Sequence, residues 1–140
     1  MQRVLLDTDM LSEILKRKDP NVVSRAEKYI TAHQRFTFTA VSVHEIIYGL
    51  ESKGATQQLQ RARIAFAAND ILVPAFADYE VAGQIRGLAR RNGRQLAIDD
   101  CLIACVAVRL GLPVATGNTG HFQAMQVAGL PVILENWREG

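Results

Sequence analysis

The chain has 140 residues and a mass of 15.5 kDa, with 49% hydrophobic side chains, 21% charged ones and a net charge of +2. That length suits one domain, expected over residues 1–140, with a core of its own, and the balance is an ordinary globular one. No apolar run is long enough to span a bilayer, and Asp7 and Asp9 interrupt the N-terminal one too early for a signal peptide, so a soluble cytoplasmic protein is expected.

Val4-Leu5-Leu6 is an apolar run that ends in Asp7 and passes directly into a helical pattern of Met10, Leu11, Ile14 and Leu15. Such a strand delivers a carboxylate into the turn before a helix, where open α/β sheets bind ligands. Asp7 or Asp9 equally suits a helix cap. The basic residues at 16–18 fit that helix's C-terminus. Asp19 is predicted to cap a second helix with Pro20 at its first position, and Val22, Val23, Ala26 and Ile30 form the apolar stripe. Arg35-Phe36-Thr37-Phe38-Thr39 alternates and reads as the second strand. Ser42 reads as the next cap, with Glu45 in capping-box spacing and Ile46, Ile47 and Leu50 carrying the helix toward Gly54.

Residues 56–69 are predicted to form an amphipathic helix with Leu59, Ile64 and Phe66 inward, and Ile71-Leu72-Val73 a short strand closed by Pro74. A helix over Ala77 to Arg91 ends at Asn92-Gly93. Asp99 or Asp100 opens the most apolar helix, Cys101 to Leu110, which Gly111 stops. Cys101 and Cys105 within it read as small buried filler, with no third soft ligand nearby. Val114-Ala115-Thr116 is a strand, Gly117-Asn118-Thr119-Gly120 a polar turn, and Pro131-Val132-Ile133-Leu134 the last strand. There is no internal repeat, low-complexity stretch or interdomain linker.

Strands alternating with helices give an α/β fold with a largely parallel sheet. Right-handed crossovers then bring Asp7, the Ser42–Glu45 turn and the loop after Thr116 to one edge, which Asp100 can also reach. Carboxylates gathered there repel, and a hard cation such as Mg2+ or Mn2+ relieves them. Such a site activates water and offsets charge on a phosphoryl oxygen. Singly, Glu45 fits a capping box, one of Asp99 and Asp100 fits a cap, and Asp9 fits backbone amides; together the acids fit a metal site better than unrelated caps. Neither G-x-S-x-G, a P-loop nor G-x-G-x-x-G occurs, and His33, His44 and His121 are scattered. Arg86, Arg90, Arg91 and Arg94 approach the Asp99-Asp100 turn. They read either as a solvated helix face or as contacts to a polyanion's phosphates, which Arg61 and Arg63 would extend.

Four stretches, LLDTDMLSEIL, AVSVHEIIYGL, AIDDCLIACVAVRLGLPVAT and GNTGHF, occur in that order between residues 5 and 122. Together they resemble the PIN-domain ribonucleases, and among them the toxins of VapBC-type toxin–antitoxin pairs. The resemblance implies a PIN-like three-layer fold with a mostly parallel five-stranded sheet flanked by helices, Mg2+- or Mn2+-dependent RNA cleavage, a VapB-type antitoxin partner, and a homodimer within a larger assembly. It also implies that Asp7, Glu45 and Asp100 are the central acids, with Asp100 directly before the apolar CLIA stretch. Asp7 and Asp100 then hold the metal, Glu45 completes the site or orients the attacking water, and Asn118 hydrogen-bonds water or phosphate. Arg86, Arg90 and Arg94 are the substrate-contacting candidates, with structured RNA such as transfer RNA as substrate. Two departures stand out: Asp9 where such proteins commonly carry Asn or Ser, and Asn118 where many place a fourth acid. The alternatives are a haloacid-dehalogenase-type phosphatase, disfavoured by Leu11 after D-x-D, and a PIN fold kept only for binding.

Overall fold

Asp7 both ends the first strand and starts the first helix: its Oδ1 accepts from the Met10 amide at 2.7 Å, which leaves Leu5–Leu6 as β1 and Thr8–Lys16 as α1. A computed structural model describes residues 1–139 of the chain. After α1 come α2 (Pro20–His33), β2 (Thr37–Thr39), α3 (Ala40–Ser52), α4 (Thr56–Ala68), β3 (Asp70–Leu72) and α5 (Phe76–Arg91). Then follow α6 (Ile98–Leu110), β4 (Val114–Thr116), α7 (Thr119–Val127) and β5 (Leu134–Asn136). Asp19 caps α2 through the amides of Asn21 and Val22, as the Asp-Pro pair predicts. Gly111 ends α6 in the left-handed region at φ 70°.

Every paired strand is parallel: β4 lies between β1 and β5, and β2 pairs β3. Leu5 stands opposite Val114 and Phe38 opposite Ile71. The expected five strands are thus present as ladders of three and two, with β1 and β2 side by side. The ladder breaks there because β1 is very short and the Tyr29 hydroxyl occupies both the Val4 amide and the Val4 carbonyl. Arg3 Nη2 bridges the join to Thr37 Oγ1 at 3.2 Å.

Strand alternation divides the core in two. Leu5 and Val114 face α5, α6 and α7, where Ile85, Leu102, Cys105, Phe122 and Met125 pack. Leu6 and Ala115 face the other layer, with Met10, Leu11, Val22, Tyr29, Phe38, Ile46 and Trp137. The result is helices, sheet, helices.

Several expected positions move. Ile30 is exposed and Tyr29 takes its place in the core, while Ile64 points to solvent and Ala62 is buried with Leu59. The turn after β4 does not stay a loop; it opens α7, which buries Phe122 and Met125. The last strand starts at Leu134 rather than Pro131. Pro131 has no amide to give a ladder, and Gln126 Nε2 takes the Val132 carbonyl at 2.7 Å. Cys101 and Cys105 are buried free thiols. Among the described residues, no helix is long and apolar enough to cross a membrane.

Candidate active site

The carboxyl ends of β1, β2 and β4 lead into α1, α3 and α7 at one edge of the sheet. Asp7 ends β1 and is 3% exposed. The side chain of Thr116, the last residue of β4, is a polar neighbour that also acts on its carboxylate. Burial pushes the Asp7 carboxyl from 3.8 up to about 6; the neighbouring Thr116 side chain and the Met10 amide pull against this, and the charges of Asp9 and Asp100 add to it.

Glu45 reaches the same place from α3. Thr8 Oγ1 donates to its Oε1 at 2.5 Å and lies 2.8 Å from Ser42 Oγ. Ser42 is therefore not the expected cap and forms no capping box with Glu45. The helix starts at Ala40, straight out of β2, so Ser42 lies within its first turn and is fully buried against Thr8. Burial raises the Glu45 carboxyl above its ordinary range, the Thr8 hydroxyl opposes this, and Asp99, Asp100 and Asp9 reinforce it.

Asp99 and Asp100 both sit in the first turn of α6, which begins at Ile98; neither is its N-cap, contrary to the sequence reading. Ala97 holds the cap position without a side-chain bond, and the two acids stand in the first turn, where the helix dipole favours them while other carboxylates repel them. Burial raises the Asp100 carboxyl; His121 draws it back, while Asp9 and Asp99 push it further. His121 Nδ1 is 3.3 Å from Asp100 Oδ2, and its Nε2 is 3.3 Å from Asn118 Nδ2. The Asn118 backbone amide donates to Thr116 Oγ1 at 2.9 Å. Polar contacts thus join Ser42, Thr8 and Glu45 in one group and Thr116, Asn118, His121 and Asp100 in another.

Asp7, Glu45 and Asp100 lie near enough for their charges and those of Asp9 and Asp99 to act among them. Missed by sequence reasoning were Thr8, Ser42, Thr116 and His121, the hydroxyls and imidazole that fix them. Their one sequence signal is position: each lies within three residues of a predicted acid or amide. The carboxylate oxygens of Asp7, Glu45 and Asp100 are hard donors, which suit a hard cation. The nearby Cys101 thiol is pushed up to about 11 by burial and stays protonated. Among the described residues, no three Asp, Glu, His or Cys side chains are drawn tightly enough to grip an ion by themselves. Mg2+ tolerates this, since it keeps several waters and relies on few carboxylates plus substrate phosphate.

Arg86, Arg90 and Arg94 line one concavity with Gly83, Gly87 and Leu96, whereas Arg91 does not. Arg86 Nε is committed to the Leu96 carbonyl at 2.9 Å, so it also pins the segment leading to α6. Arg61 and Arg63 lie on α4 and do not line this concavity.

Residues 4–127 match the family described as the PIN domain. The chain belongs to the PIN-domain family. It is similar to the tRNA(fMet)-specific endonuclease VapC of Shigella flexneri, at 29% identity over 98% of this chain and 99% of the relative. It is also similar to toxin FitB of Neisseria gonorrhoeae, at 32% identity over 89% of this chain and 94% of the relative. Among solved structures, FitAcB from Neisseria gonorrhoeae superposes with a TM-score of 0.77 at 26% identity, covering 98% of this chain and 99% of that one. Membership of the PIN-domain family displaces the haloacid-dehalogenase alternative.

Proposed function

We propose that this PIN-domain chain, working as one domain over residues 1–140, is a metal-dependent endoribonuclease and the toxin of a VapBC-type toxin–antitoxin pair. The observation that carries this reading is the gathering of Asp7, Glu45 and Asp100 from three separate elements, each with its carboxyl raised chiefly by burial. A binding-only PIN fold has no use for that electrostatic cost.

Asp7 and Asp100, with Glu45, would hold Mg2+ or Mn2+ directly or through water. When bound, the cation supplies Lewis acidity at the scissile phosphate and lowers the pKa of the attacking water. Asp7 is kept in place by the Met10 amide, which holds its Oδ1. Glu45, steadied by Thr8, orients the water for in-line attack. Asn118 hydrogen-bonds water or phosphate. Arg86, Arg90 and Arg94 grip the RNA backbone without reading its sequence.

The substrate class is structured RNA, in keeping with the transfer-RNA specificity named for the Shigella relative. The partner is a VapB-type antitoxin, in keeping with the toxin named for Neisseria, and the chain works in the cytoplasm as a homodimer within a larger assembly. The test is induced expression followed by mapping of RNA 5′ ends. New ends should appear at defined sites in a structured RNA with wild type and vanish with Asp100→Asn. Growth arrest without new ends would refute the reading.

A further inference from the structure

The turn after β5 carries a cation to the edge where the acids lie. Trp137 is fully buried and its backbone amide donates to the Thr116 carbonyl at 3.2 Å, which docks this turn on the end of β4. Arg138 follows. Its backbone amide donates to Asn136 Oδ1 at 2.9 Å, and its carbonyl accepts from Asn21 Nδ2 of α2 at 2.7 Å. The backbone of Arg138 is thus held from two elements.

The side chain then lies across Gly117, the residue between Thr116 and Asn118. Its Nη2 donates to Glu13 Oε1 of α1, and its Nη1 lies 3.5 Å from the Gly117 carbonyl oxygen. A Cβ on Gly117 would stand 2.5 Å from Arg138 Nε and 2.8 Å from its Cδ, so the missing side chain is what lets the guanidinium rest there. The Glu13 side chain is 22% exposed and that of Arg138 47%, so the carboxylate is the inner partner and the cation the outer one. Glu13 Oε2 is buried with no partner among the described residues. The bond from Arg138 to Glu13 outweighs burial in keeping the guanidinium charged, and the charges of Glu13, Asp9 and Asp19 add to it. Asp9, one helical turn before Glu13, is therefore close enough for its field to reach Arg138. A guanidinium carries five N–H donors in a rigid fork; Glu13 and Gly117 engage two, and the half-exposed head has others for a phosphate.

We propose that Arg138 is a phosphate-positioning residue, held by Glu13 over Gly117 so that RNA is gripped on the face of the sheet opposite Arg86, Arg90 and Arg94. The two faces follow from the core: α1 packs with Leu6 and Ala115, whereas α5 packs with Leu5 and Val114. The inference deepens the nuclease reading and rests on it for its substrate. A strand held on both flanks crosses the acids in one fixed direction, while the contact itself carries no sequence information.

The test is binding of a fluorescein-labelled transfer RNA to the full-length Asp100→Asn protein in chelator, where neither cleavage nor a cation intervenes. Adding Arg138→Gln should weaken binding about tenfold, the size of one charge-assisted hydrogen bond, and lower the salt slope by about one ion. Adding Arg138→Lys should keep the slope and recover part of the affinity. Loss of Arg138 also leaves Glu13 buried and unpaired, so Glu13→Gln is measured alone and together with Arg138→Gln. The pair of changes should bind more weakly than Glu13→Gln by the same factor of about ten, with the same lost ion. Wild-type affinity restored by the pair, or a salt slope indifferent to Arg138, would overturn the proposal and leave Arg138 as a counter-ion for Glu13. RNA held through Arg138 but never cut by wild type with Mg2+ or Mn2+ would refute the nuclease reading and leave the contact standing. RNA cut by wild type but bound without dependence on Arg138 would overturn the contact alone.

Discussion

Asp7→Asn should make the metal-free protein more stable while destroying its activity. The carboxyl is 3% exposed and lies among Asp9 and Asp100, and it is raised from 3.8 to about 6, chiefly by burial. At neutral pH that rise corresponds to about 3 kcal/mol of destabilisation by the ionised group. Asparagine keeps an oxygen for Met10 but is the weaker acceptor, which returns about 1 kcal/mol. The net gain is about 2 kcal/mol, or about 6 °C in Tm for a chain of this size. The sign follows from proton binding: between 3.8 and about 6 the folded wild type holds more protons than the unfolded chain. Wild-type stability therefore falls as pH rises through that window and levels off above it. Thermal melts in chelator should show the variant's advantage opening across the same window and closing below it. Added Mg2+ should raise the wild-type Tm and leave the variant unmoved. A variant less stable than wild type at neutral pH, or a difference flat across the window, would refute the view of Asp7 as a buried, repelled charge.

Changing Arg90 and Arg94 to Gln should weaken RNA binding equally for all sequences and flatten the salt dependence by about one ion per lost contact; an unchanged slope would return them to a solvated face. Arg86→Gln should in addition lower Tm, since Arg86 alone of the three also holds the Leu96 carbonyl. Burial would raise the Asp78 carboxyl, but hydrogen bonds from Arg109 and the Ala75 amide outweigh it and hold Asp78 below its ordinary range. That stabilisation is present above the ordinary aspartate value and is lost as pH falls through the lower folded one. The melting deficit of Arg109→Met should accordingly be widest near neutrality and close in acid; a deficit independent of pH would contradict it.

The parts of this site that were legible in the sequence are those that a single segment encodes. An apolar run cut by Asp7, an Asp19-Pro20 pair and a glycine after an apolar helix each carry their own local physics, and each holds. The misreadings arise where local chemistry fits two answers. Ser42 and Glu45 have the spacing of a capping box, yet β2 runs into α3 without a turn, and Ser42 turns to Thr8 on another element. The Thr39 hydroxyl at the true N-cap is buried without a partner among the described residues, so the helix start carries no side-chain signal. Asp99 and Asp100 share one helical turn, and only the fold sets Asp100 beside His121. The glycines at 117 and 120 hid α7, although Phe122 and Met125 at helical spacing were there to be counted. Pairs such as Thr8 with Glu45 lie 37 positions apart, beyond the reach of any local pattern.

The central claim is tested most directly by incubating a structured RNA with the purified chain in chelator and then in rising Mn2+ or Mg2+, using wild type, Asp100→Asn and Asp99→Asn. Wild type should cleave only with the cation present, and Asp100→Asn should not cleave at any concentration. Asp99→Asn, which changes a neighbour outside the proposed ligand set, should stay within about tenfold of wild type. Cleavage in chelator by wild type, or full activity in Asp100→Asn at the same cation concentration, would contradict a metal-dependent ribonuclease centred on Asp7, Glu45 and Asp100.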